Sequence, residues 1–165
     1  MAEFNLCRSR VIVSALELKI PPMLLVLLFG LAMWLVAFSA PSFRVSLPWR
    51  TAIAVTFAVA GALISLSGVV AFRHANTTVN PTKPGSTSAL VTTSIYRATR
   101  NPMYLGFLLV LLAWAAYLAH VFAFALLPGF VLYMNRFQIW PEERTLSAKF
   151  GSEFSAYKEN VRRWL

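Results

Sequence analysis

Two short polar clusters interrupt an otherwise apolar chain. The first runs Ser94-Ile95-Tyr96-Arg97-Ala98-Thr99-Arg100-Asn101-Pro102-Met103-Tyr104-Leu105-Gly106. The second is Trp140-Pro141-Glu142-Glu143-Arg144-Thr145-Leu146, followed by Phe150-Gly151 and Tyr157. They contain guanidiniums, carboxylates and phenols. Such groups pair with charged partners and orient them by hydrogen bonds. Other chemistry is excluded by what is missing. No Cys/His cluster has metal-ligand spacing. There is no phosphate-binding glycine loop and no dinucleotide fingerprint. The chain has no Asp, so a Ser-His-Asp triad cannot form, and neither His74 nor His120 has a nucleophile motif nearby.

Each of these residues also has an ordinary structural reading. Arg97 and Arg100 read as anchors at the start of a membrane span. Asn101-Pro102 reads as a helix start, Asn capping and Pro in the first turn. Tyr104, Trp140 and Trp164 read as interfacial aromatics. Glu142-Glu143 reads as a first-turn pair facing a helix dipole. His120 is expected to face solvent in an outer turn, and His74 to sit at an interface.

The elements that must position these clusters are membrane helices. Of 165 residues, 58% are hydrophobic and only 13% charged, where a soluble domain carries about one quarter charged. The length allows a single domain. The net charge of +9 does not point to nucleic acid, because the basic residues lie between long apolar runs. One cysteine, Cys7, excludes an intrachain disulfide, and no signal peptide is evident. Residues 20–43 and 51–72 carry no charge, and each is long enough for one span. Residues 101–135 are also uncharged. As one helix they would reach about 50 Å, too long for a core of about 30 Å. The run therefore splits near Tyr117–His120 into two spans, the second expected to kink or unwind at Pro128-Gly129.

The reading is an all-α integral membrane protein. It has about four transmembrane helices (22–40, 51–72, 102–118 and 121–139) plus a cytoplasmic C-terminal helix. With four spans, thirteen of the fifteen basic residues share one side with both termini, which predicts cytoplasmic N- and C-termini. Arg8–Lys19 reads as an interfacial helix ending at Pro21-Pro22, and 74–94 as a polar cytoplasmic loop. After Pro141, Leu146, Phe150, Phe154, Tyr157 and Val161 fall at helical spacing. Ala54, Ala58, Gly61, Ser65 and Gly68 place small side chains on one face of the second span, predicting a close helix contact, internal or between protomers.

The ordered polar elements resemble the isoprenylcysteine carboxyl methyltransferase and phospholipid methyltransferase superfamily of membrane enzymes. That superfamily carries R-[HN]-P-x-Y-x-G before one span, then paired glutamates, F-G, a Tyr and a basic-Trp ending. Here these are Arg100-Asn101-Pro102-Met103-Tyr104-Leu105-Gly106, Glu142-Glu143, Phe150-Gly151, Tyr157 and Arg163-Trp164. Thr77-Thr78-Val79-Asn80-Pro81 resembles the bacterial branch, which implies a bacterial inner membrane. The likeness covers roughly residues 74–165.

The resemblance implies S-adenosylmethionine as methyl donor, bound by residues 74–165, and a small or lipophilic acceptor drawn from the membrane lipid. It implies that Glu143, Arg163 and Asn101 act in catalysis. Around the cofactor it puts Tyr96, Arg100, Asn101, Pro102, Tyr104, Leu105, Gly106, Glu142, Glu143 and Tyr157. Methyl transfer from a sulfonium is an in-line displacement that positioning can largely catalyse. Aromatic faces and carboxylates stabilise the cation. Arg100, Arg144 or Arg163 can pair a carboxylate, and Glu143 is preferred to Glu142 for the cofactor. The superfamily often has His at Asn101 and Gly at Ser94. The first departure removes an imidazole, and the second bears on a turn. Two other readings stand beside this one. One is an NADPH-dependent membrane reductase of related fold, disfavoured by length. The other is a non-enzymatic small membrane protein.

Overall fold

The computed structural model describes residues 17–75 and 89–165. Thr77–Pro81, most of the 74–94 loop and most of the expected interfacial segment Arg8–Lys19 lie outside them. Within that segment, residues 17–19 form turns and not helix.

Four apolar helices and a polar one make up the described chain. Helix α1 spans Pro22–Ser39 and α2 spans Arg50–His74. Helix α3 spans Pro102–Leu118 and α4 spans Val121–Tyr133. A π-helical turn at Met134–Ile139 then runs on into α5, Trp140–Asn160. Among the described residues there is no strand, only an isolated bridge between Arg44 and His120. By length and composition α1, α2 and the continuous 121–160 element can each cross a membrane, while α3 is apolar but only 17 residues long. The chain is an all-α membrane protein.

Local chemistry sets the boundaries. Pro22 and Pro102 stand at helix starts, where a missing N–H costs nothing. Helix α2 ends on Arg73 and His74, which suit the negative end of its dipole. The long uncharged run breaks at Ala119, whose φ of 49° turns the chain out of α3. Pro128 lies inside a helix that stays continuous, so the unwinding expected at Pro128-Gly129 does not occur. The irregularity comes one turn later, as the π turn.

Helix α3 is central, with α2 on one side and α1 and α4 on the other. Its closest partner is α2. A Cβ on Gly61 would come 2.6 Å from the Gly106 carbonyl oxygen, so the two backbones touch. Ser65 Oγ donates to the Met103 carbonyl at 3.3 Å. The small-residue face of α2 thus serves an internal contact. On the other side, Leu25, Met33, Leu111, Ala115, Ala123, Phe130, Met134 and Ile139 form the main core, and Trp114 Nε1 donates to Gly30 O at 3.0 Å.

Two further expectations are corrected. His120 does not face solvent: it is fully buried, with Nε2 2.9 Å from Ala40 O. The loop after α1 folds over the α3–α4 turn and covers it. The amphipathic stripe expected after Pro141 is interrupted at Gly151, φ 51°, which breaks the helical register. Phe154 is buried, while Leu146, Phe150, Tyr157 and Val161 are only half-buried.

Candidate functional site

Glu142 and Glu143 are consecutive on a helix, so their side chains point about 100° apart. The preceding turn runs straight into α5, so no free helix N-terminus faces them and the first-turn dipole reading does not apply. Glu142 turns inward, where Oε1 accepts a hydrogen bond from the buried Tyr104 hydroxyl. Burial pushes the Glu142 carboxyl up to about 8, against the opposing effect of that bond. Glu143 turns towards two guanidiniums. Arg163 bonds it through Nε at 3.2 Å and Nη2 at 2.7 Å, a two-pronged pairing. Arg100 Nη2 lies 3.1 Å from the same carboxylate. Two guanidiniums share the one Glu143 carboxylate, and Arg100 Nε is buried without a partner.

Long-range bonds to the C-terminal segment assemble this cluster. Beyond Asn160 the chain extends and lies along residues 99–101. Arg100 N–H donates to Arg162 O at 3.0 Å and Asn101 Nδ2 to Arg163 O at 3.0 Å. Thr99 Oγ1 donates to Arg163 O at 3.3 Å, and Trp164 Nε1 to Asn135 Oδ1 at 3.0 Å. Asn101 occupies the N-cap position of α3, but its side chain does not cap the helix. It fixes Arg163 instead, and so aims that guanidinium.

The remaining expected residues divide between two places. Tyr157 donates its hydroxyl to Tyr96 O at 2.7 Å, and both lie beside the cluster. Burial pushes the Tyr96 hydroxyl up, and pushes that of Tyr157 up to about 12 although Arg100 opposes it. An open cavity of about 470 Å³ adjoins them, lined by Thr92, Arg97, Glu153, Tyr157 and Asn160. Pro102 starts the helix that carries Tyr104, and Leu105 is buried. Gly106 belongs to the α2–α3 contact, away from the carboxylates. Arg144 pairs with Glu17, and not with this cluster. Sequence reasoning missed Thr99, Asn135 and Gln138. Thr99 and Gln138 are fully buried, and the readable signal for Asn135 and Gln138 was a polar amide at the end of an apolar run.

The model of the phospholipid methyltransferase family matches residues 49–153, more than half of the chain. The chain belongs to that family. Family membership makes it a membrane methyltransferase, and the match covers Arg100, Glu142 and Glu143 but ends before Tyr157 and Arg163. An uncharacterised protein of Haemophilus influenzae is 49% identical over 63 residues, 38% of this chain and the whole of that protein. No solved structure matches the chain.

Proposed function

We propose that this methyltransferase moves the methyl group of S-adenosylmethionine onto a small or lipophilic acceptor at the Arg100–Glu142–Glu143–Arg163 cluster. The observation that carries the reading is the separation of charge between neighbouring residues. One carboxylate, Glu142, faces inward with only a phenol for a partner, while two guanidiniums share Glu143. A methionine moiety has the complementary pattern, a carboxylate at one end and cations beside it. Arg100 and Arg163 would take the carboxylate, the buried Arg100 Nε supplying a donor that has no partner. Glu142 and the Tyr104 phenol would face the cationic side. This assignment prefers Glu142 to Glu143, because Glu143 is already committed to positioning Arg100 and Arg163.

S-adenosylmethionine supplies an electrophilic methyl carbon on a sulfonium. The chain's share is to orient the donor, hold Arg163 through Asn101, and keep water from the reacting atoms. Where the acceptor bears a proton, Glu142 is placed to receive it. Topologically we place both termini and this cluster on the cytoplasmic face of a bacterial inner membrane, following the basic residues.

The test is calorimetry on the detergent-purified chain with S-adenosylmethionine, S-adenosylhomocysteine and NADPH. Saturable binding of both adenosyl compounds, weakened at least tenfold by Glu142→Gln, supports the proposal. Binding of NADPH alone would move the protein to the reductase reading. Binding of none by folded protein would leave a non-enzymatic role.

A further inference from the structure

Gln138 is fully buried in the π turn between α4 and α5, one helical turn before Glu142. Its Nε2 donates to Ile20 O at 2.6 Å. A carbonyl can only accept, so this bond fixes which end of the amide is nitrogen. The other end, Oε1, is buried and has no partner among the described residues. Leaving a buried acceptor unpaired is costly, so a donor belongs beside it.

Two side chains on the same helical run are candidates. The Tyr133 hydroxyl is also buried without a partner. Helical side chains lean towards the N-terminus. By that rule Tyr133 leans away from Gln138, and its ring packs on Phe137 at 4.7 Å between centres. Glu142 leans back over the turn that holds Gln138, and residues four apart share a face. The Tyr104 hydroxyl donates to Glu142 Oε1. An ionised carboxylate can only accept, and offers Gln138 nothing. A protonated carboxyl has an O–H to give. The bonds then run in one direction from α3 to the segment before α1: Tyr104 O–H to Glu142, Glu142 O–H to Gln138 Oε1, and Gln138 N–H to Ile20 O.

The charges around Glu142 favour that state. From α3 it meets the Tyr104 phenol, and from the 3₁₀ segment Ser94–Arg97 the Tyr96 phenol, neither of them a cation. On its own helix, Glu143 repels its charge. Arg100 and Arg163 are bound to Glu143. Before α1, Glu17 is paired with Arg136 and Arg144. Burial and the Glu143 charge outweigh the Tyr104 bond.

We propose that Gln138 is a positioning residue that holds Glu142 as a neutral acid while the site is empty, and that the cationic side of the methyl donor displaces the acid's proton on binding. The first half stands without the methyl-transfer reading, and the second rests on it. On binding, the Glu142 O–H bond breaks, its electron pair stays on the carboxylate, and the proton passes to the buffer. The new anion faces the donor's cation. A carboxyl that ionises only with the donor present spares the empty protein an unpaired buried charge. It also leaves a carboxylate ready for a proton from the acceptor.

Infrared difference spectroscopy on the detergent-purified chain tests the first half. At neutral pH the ligand-free protein is expected to show a protonated-carboxyl C=O band that Glu142→Gln removes. That variant keeps an N–H for Gln138 and an oxygen for Tyr104. The band is expected to titrate near 8. Gln138→Met keeps the side-chain length and removes the acceptor. It is expected to move the band and lower its midpoint by about one unit, because a bond to the neutral form raises a carboxyl's pKa. Tyr133→Phe should do neither. A cooperative thermal transition shows that each variant is folded. Glu142 ionised at neutral pH, an unmoved midpoint in Gln138→Met, or a shift in Tyr133→Phe each overturns the role of Gln138. Calorimetry with S-adenosylmethionine, in buffers of different ionisation enthalpy, tests the second half. Release of about one proton per cofactor is expected at neutral pH. Affinity should rise about tenfold per pH unit up to the midpoint and then level, because the ionised carboxyl is the form that pairs the cation. Binding without proton release overturns the coupling. Absence of binding counts against the methyl-transfer reading and takes the second half with it, while the spectra still decide the first.

Discussion

The two ends of the helix bundle are both closed by buried, long-range polar contacts, but with different groups. At one end the loop after α1 meets the α3–α4 turn. His120 Nε2 reaches Ala40 O, Val45 N–H donates to Ala119 O at 2.8 Å, and Phe43 packs on Phe122. One imidazole and backbone amides suffice to tie the loop down. At the other end the closure uses Arg100, Arg163 and Glu143, with Glu142 and Tyr104 beside them. Withdrawing ionised groups from water is costly, and well-packed apolar residues often do as well or better for stability. Loop closure alone does not call for two guanidiniums on one carboxylate, or for a second carboxyl whose burial raises its proton affinity. Such departures gather where a protein binds or reacts. On the reading proposed above, the first end is built as a staple and the second as a site.

The sharpest way to break this contrast is Glu143→Ala. It leaves two partly buried guanidiniums without their carboxylate, and a loss of about 3 kcal/mol is expected. Cofactor binding should fall at least tenfold, because Arg100 and Arg163 lose their alignment. Thermal unfolding and calorimetry on the same preparation check both. A variant that binds normally would show that Glu143 only braces the C-terminal segment. His120→Ala at the opposite end is the matching control. It removes a buried hydrogen bond and leaves a void, at an expected cost of about 2 kcal/mol. Cofactor binding should not change. A fall in affinity there would mean that the two ends are coupled through α3, and the separation of staple from site would not hold.

What could be read in advance follows the range of the interactions. Spans are written locally: uncharged runs of the right length mark α1 and α2, and the excess length of 101–135 requires the break found at Ala119. The small residues of α2 were legible as a contact face, because a helix puts them on one side, although their partner α3 was not. His120 was misjudged because its burial depends on Ala40, eighty residues away. Asn101 looked like a cap for the same reason, since its true partner, Arg163, is distant in sequence. Glu142 and Glu143 were legible as a pair, but their division of labour was not. It depends on the helix continuing through the π turn, which sets the two facing directions. Thr99 gave no signal beyond its place in the first polar cluster, and the Gln138 amide at the end of an apolar run is ordinary until its burial is known.

The smallest expected effect tests a turn that aims the site. Ser94 opens the short 3₁₀ segment Ser94–Arg97 at φ 57°, in the left-handed region. For a residue with a Cβ this conformation costs about 1 kcal/mol, a penalty glycine does not incur. The resemblance drawn from sequence has glycine at this position. The segment carries Tyr96, whose carbonyl accepts from Tyr157, and leads directly to Thr99 and Arg100. Ser94→Gly should therefore stabilise the folded chain by up to about 1 kcal/mol, less the added freedom of the unfolded state. Thermal unfolding reads the shift, and cofactor affinity should stay within a factor of two. A destabilised variant would mean that the Ser94 side chain contributes more than its backbone strain costs. An affinity change without a stability change would instead put the turn itself, and not only the residues it leads to, in contact with the cofactor.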